Sequence, residues 1–200
     1  MVCNKLKIWD IEVKEMEKKN DYLEDLPSIL DRIIVWTDNC DSKTSIILGG
    51  LGVIAGIFMA SDYVTKIIEI VRFMTSHVNF WAVIYLIMFF GSIAVLLAGC
   101  FFLIRVLISV TDTKSYQERG VTEESLVFFS SIAKNKTLSA YKKKVQKTDN
   151  AQFEEDIISQ IYICSIICDA KFRNYKTGLL LSLLGFGMFS VTAIVGINVT

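Results

Sequence analysis

Between Val78 and Ile104 the chain runs 27 residues without a charged side chain. As an α-helix that run is about 40 Å long, more than the ~30 Å hydrocarbon core of a bilayer. A soluble core helix of that length carries polar residues on at least one face, and this one has no such face. A chain with this segment folds across a membrane.

Two further runs meet the same test. Thr44–Ser61 is uncharged for 18 residues, near the lower limit for a crossing, and Thr177–Thr200 is uncharged for 24. A hydrophobic hairpin is the alternative for the first of these. The expected architecture is an all-α membrane protein with three transmembrane helices at 44–61, 78–104 and 177–197 and a small helical cytoplasmic portion. Residues 1–43 form an N-terminal cytoplasmic segment, 62–77 a short outer loop or helix extension, and 105–176 a second cytoplasmic segment. Orientation follows lysine and arginine. Twelve of the 21 lie in 105–176, seven in 1–43, and only Lys66 and Arg72 between the first two runs. This skew predicts a multi-pass membrane protein with its N-terminus cytoplasmic and its C-terminus outside. "MVCNKLKIWDIEVKEMEKK" lacks the apolar core of a cleavable signal.

Composition excludes several functions. Lysine and arginine equal aspartate and glutamate at 21 each, so there is no basic footprint for nucleic acid. The five cysteines fit reduced thiols rather than a disulfide framework. Cys164 and Cys168 lie one turn apart, but the sole histidine, His77, falls in the outer loop, which argues against a metal site. No phosphate-binding loop, serine elbow or metal-ligand motif occurs, so no catalytic residue is assigned and an enzyme is not expected. Glu123–Glu124 and Glu154–Asp156 read as helix-start carboxylates that suit the macrodipole.

Local patterns place the remaining elements. "DLPSILDRIIVW" reads as a helix with Pro27 in its first turn and Leu26, Ile29, Leu30, Ile33 and Ile34 on one apolar face. Residues 1–20 are ambiguous between a short strand and a helix start, and "ISVTDTKSYQERGVTEES" reads as a polar connection. "LVFFSSIAKNKTLSAYKKKV" opens on an apolar cluster and continues as a basic helix, which "QKTDNAQ" ends. Lys142–Lys144 with Lys147 suit a solvated face, anionic headgroups or an anionic ligand. Beyond the break, Ile157, Ile161, Cys164, Cys168, Phe172 and Tyr175 recur at helical spacing. With no proline or glycine between Phe153 and Thr177, this helix runs directly into the third span. Gly49, Gly52 and Gly56 fall on one side of the first span, a spacing that lets helices approach closely in lipid.

In this order the features resemble the Pycsar transmembrane effector family (the PycTM type), bacterial antiphage membrane proteins. Four stretches carry the resemblance: "DSK" at Asp41–Lys43, "LVFFSSIAK" at Leu126–Lys134, "SAYKKKV" at Ser139–Val145, and the helix with Asp156, Gln160–Ile161, Ser165, Ile167 and Lys171–Phe172. Together they cover roughly residues 25–195, with Phe172 standing where the family often has tyrosine. The resemblance implies an effector without a cofactor, triggered by cyclic UMP or cyclic CMP from a partner pyrimidine cyclase. It also implies a homo-oligomer that impairs the inner membrane and aborts infection. Such a ligand needs a cation for its phosphate and polar and aromatic groups for its base. Lys134, Gln160, Tyr162, Lys171 and Arg173 are the candidate suppliers. Two rival classes share the composition: a membrane scaffold or transporter accessory subunit, and a related effector gated by cyclic oligonucleotides.

Overall fold

The computed structural model describes the backbone of residues 2–60, 62–77, 79–108 and 125–199, and side chains within 25–60, 62–77, 79–108 and 125–197. Every described element is an α-helix: α1 (Val2–Ala60), α2 (Tyr63–Ser76), α3 (Phe80–Leu107), α4 (Phe129–Ala133), α5 (Leu138–Lys147) and α6 (Asn150–Val199). Three of them, α1, α3 and α6, are long and apolar enough to cross a membrane. Large apolar side chains stand exposed along them, among them Ile57, Trp81, Ile87 and Leu183 at 62–75%. In water such surfaces would aggregate; in a bilayer they face lipid.

Residues 1–20, ambiguous in sequence, belong to α1 from Val2 onward. Pro27 lies well inside that helix rather than in its first turn. It removes one backbone hydrogen bond, while a seam of covered side chains continues past it. Leu26, Leu30, Ile33, Thr37, Cys40, Thr44, Ile47 and Leu51 are all buried or half-buried. Their alternating steps of four and three residues are the spacing at which one helix stays against a neighbour. Ile29 and Ile34, expected on the covered face, are exposed. The polar connection 108–125 falls almost wholly outside the described residues.

Contacts divide the described chain into two units, one holding the residues up to Thr37 and from Ser125 to Cys168, the other Asp38–Ile108 and those from Asp169 on. In the second unit α3 and α6 are antiparallel. The Tyr85 hydroxyl donates to the Thr192 carbonyl at 3.1 Å, the Phe89 and Phe189 rings lie 5.8 Å apart, and further along α3 Leu96, Gly99 and Leu103 meet Gly185, Ser182 and Gly178. A methyl group on Gly99 would lie 2.5 Å from the Ser182 nitrogen, and one on Gly185 2.5 Å from that of Leu96. Backbones this close admit only glycine, and in lipid that proximity supplies much of the attraction between helices. α1 runs parallel to α6, with Asp41 beside Lys171 and the Phe58 ring 5.6 Å from that of Phe189. α2 is a separate amphipathic helix whose Ile70 and Met74 pack with Ala82 of α3. Asn79 caps α3, its side chain accepting from the Ala82 amide at 2.7 Å.

In the first unit the stretch read as a basic helix after an apolar cluster is two helices. The Asn135 side chain donates to the Ser131 and Ile132 carbonyls at the end of α4. Thr137 then starts α5 by accepting from the Ala140 amide. α5 is exposed along its basic face. α6 opens with Asp149, which accepts from the Gln152 amide at 2.8 Å.

Candidate ligand site in the helical portion

The covered face of α6 passes through Ile157, Ile161, Cys164, Cys168, Lys171, Tyr175, Gly178, Ser182, Gly185, Phe189, Thr192 and Gly196. This is the apolar stripe read from the sequence, with one replacement: Lys171 is 8% exposed, while Phe172 points outward at 43%. The three-four alternation requires position 171 between 168 and 175, whatever its polarity.

Lys171 tolerates that position because Asp41 meets it. Its ammonium lies 2.7 and 2.6 Å from the two carboxylate oxygens, with the side chains 10% and 33% exposed. A cation so covered needs a matched anion, and Asp41 supplies it. Nothing in their spacing along the chain pairs the two residues.

A second polar group lies in the first unit. Asp156 does not cap a helix start; it stands in the second turn of α6, 5% exposed, and accepts from the Leu126 amide at 2.7 Å. The Leu126 carbonyl in turn accepts from the Tyr141 hydroxyl at 2.9 Å. The Ser125 hydroxyl accepts from the Val127 and Phe128 amides. The backbone of this turn, which no helix satisfies, is thereby held by side chains from α5, α6 and the turn itself. One oxygen of Asp156, Oδ1, is buried without a hydrogen-bond partner. One turn further on, Gln160 is also 5% exposed. Glu123 and Glu124 lie outside the described residues.

Of the five candidate ligand residues, Lys134, Gln160 and Tyr162 belong to the first unit and Lys171 and Arg173 to the second. Gln160 lies on the covered face of α6, whereas Tyr162 is 50% exposed on the opposite side. Lys134 is exposed at the end of α4. The ammonium of Lys171 is matched by Asp41, and exposed Arg173 pairs with Asp169 at 3.3 Å. Gly49, Gly52 and Gly56 face open space. Among the described residues, close approaches within the chain are made by Gly99, Gly178, Gly185 and Gly196.

A family model described as the Pycsar effector protein domain (PycTM) matches residues 25–197. The chain belongs to the Pycsar effector family. The Pycsar effector protein GmPycTM of Gulbenkiania mobilis is 28% identical over 163 residues, covering 78% of this chain and 83% of that protein. No solved structure matches the chain. Membership makes this Pycsar effector an antiphage defence protein of the membrane. The stretches that carried the resemblance are also those that the fold ties together. Asp41 of the first meets Lys171 of the fourth, Leu126 of the second accepts from Tyr141 of the third, and Asp156 of the fourth accepts from Leu126.

Proposed function

We propose that this Pycsar effector senses a cyclic pyrimidine mononucleotide, cyclic UMP or cyclic CMP, through its helical portion on the cytoplasmic side of the inner membrane. A pyrimidine cyclase supplies the signal, and the liganded protein, as a homo-oligomer, impairs the membrane and ends the infection. The effector performs no chemistry on the nucleotide. The observation that carries this reading is the extent of the family match, which takes in all three apolar helices together with α4, α5 and the polar start of α6. Physical chemistry supports it: the helical portion offers the buried polar side chains Ser125, Asp156 and Gln160, which suit recognition of a ligand. Exposed Lys134 is a cation suited to the single phosphate charge.

Dye release from phosphatidylethanolamine–phosphatidylglycerol vesicles containing the purified protein tests it. Leakage is expected on adding micromolar cyclic UMP or cyclic CMP and not on adding cyclic AMP. Leakage triggered by a cyclic dinucleotide alone would move the protein to the oligonucleotide-gated class, and intact vesicles under every nucleotide would overturn membrane impairment.

A further inference from the structure

We propose that Asp156 and Gln160 form the subsite for the N–H-bearing edge of the pyrimidine base. The proposal rests on the functional reading above and assigns one part of the ligand to two residues. Three polar side chains, Ser125, Asp156 and Gln160, are each 5% exposed in the first unit. The Ser125 hydroxyl already accepts from two amides of its own turn. Asp156 uses only one oxygen, Oδ2, on the Leu126 amide. Oδ1 is enclosed and has no donor.

An enclosed carboxylate oxygen without a donor is costly, more so than a neutral acceptor. Anchoring the Leu126 amide does not require a carboxylate, since an asparagine oxygen in the same place would accept the same bond. The second oxygen therefore marks a place for an N–H group from outside the fold. Gln160, four residues on, lies on the same face of α6. Its amide has both a donor and an acceptor, and among the described residues no hydrogen bond to it occurs.

An acceptor beside an amide matches one edge of a pyrimidine. In uracil the N3–H would donate to Asp156 Oδ1 while the adjacent carbonyl accepts from Gln160. In cytosine the exocyclic amine would donate to Asp156 while N3 accepts from Gln160. A phosphate does not fit, because the carboxylate would repel it. The phosphate is therefore held elsewhere. Because Oδ1 is enclosed while Oδ2 holds the Ser125–Phe128 turn, admitting the base loosens that turn. Recognition and the first structural change are then one event at one carboxylate.

The test is isothermal titration of the full-length protein in detergent with cyclic UMP and cyclic CMP, alongside the cyclic monophosphate of 3-methyluridine, which lacks the N3–H. Asp156→Asn keeps an acceptor for Leu126 but loses the second one. It is expected to weaken binding of the preferred nucleotide about 10- to 100-fold, the worth of a hydrogen bond to a charged group. The 3-methyl analogue is expected to bind the parent weaker than cyclic UMP by at least the same factor, a ligand-side comparison that does not depend on a variant folding. Tyr141→Phe removes the other tie to Leu126 without touching the base, so it eases the loosening of the turn and is expected to leave affinity unchanged or to raise it. Parental affinity in Asp156→Asn, equal binding of the 3-methyl analogue where cyclic UMP is preferred, or an equal loss in Tyr141→Phe would each overturn the subsite while leaving nucleotide sensing intact. A parent that binds neither cyclic UMP nor cyclic CMP would overturn the functional reading, and the subsite with it.

Discussion

Lys171 presents a cation on a helix face where its covered neighbours are Cys168, Tyr175 and Gly178. Its ammonium is bound by both oxygens of Asp41, so it is not open to a phosphate unless that pair first breaks. Lys171→Met is therefore expected to lower stability before it alters nucleotide affinity. The loss is about 2 kcal/mol, below the ~3–5 kcal/mol of a fully enclosed pair, because the Asp41 side chain is 33% exposed. Thermal unfolding in detergent measures it, and the exchanged pair Asp41→Lys with Lys171→Asp is expected to recover part of the loss. An unchanged midpoint in Lys171→Met would show the pair to be incidental. Both residues are legible in the sequence, but not their union. Partners 130 positions apart leave no periodic trace, and a lysine in a helical stripe reads as an interruption until its counter-ion is located. Asp156 shows the same limit: an acidic residue near a helix start suggests a cap, and only the position of Leu126 reveals a tertiary bond.

The elements were more legible than their limits. Three charge-free runs sufficed for three apolar helices, because hydrocarbon leaves a backbone no other way to satisfy its polar groups. The continuity of α1 through Pro27 was not legible, since local propensity favours a start there and the covered seam from Leu26 to Leu51 is a tertiary effect. Glycines show the same division. Their enrichment in the apolar runs is plain, but which of them touch a neighbour depends on helix pairing. Gly185→Leu is expected to force α3 and α6 apart and to cost about 3 kcal/mol or more, visible as a lowered unfolding temperature. Gly52→Ile and Gly56→Ile face open space and are expected to leave that temperature within a degree or two. If the proposed homo-oligomer assembles through that face, they reduce cross-linking between copies and toxicity while insertion stays intact. A stability loss at Gly52 matching that at Gly185 would reverse the assignment of faces.

For the whole molecule, the parallel course of α1 and α6 and the antiparallel course of α3 agree with three crossings that alternate in direction. The basic skew supplies the absolute sense. A reporter active only in the cytoplasm, fused after Thr200, is expected to stay dark, whereas the same reporter at the N-terminus is expected to be active; a bright C-terminal fusion would remove one crossing. The same topology bears on how a ligand bound near the start of α6 acts on lipid. From Asn150 to Val199 α6 is one helix, and no glycine or proline precedes Gly178 within it. A turn or shift at its polar start has no hinge in which to dissipate before the apolar run, so we infer that it biases the spans between two packings. A Gly-Gly insertion after Lys176 supplies the missing hinge and also rotates everything beyond it by about 200° at 3.6 residues per turn. Inserting Ala-Ala at the same place keeps the helix stiff with the same rotation, so the pair separates stiffness from register. The Gly-Gly variant is expected to bind nucleotide as the parent does and to leave vesicles intact. If it binds and still releases dye at the parental rate, α6 anchors the helical portion and transmits nothing. If both insertions bind and both fail to leak, register between α6 and its neighbours carries the signal, and the Gly178, Ser182 and Gly185 contacts with α3 become the place where it is read.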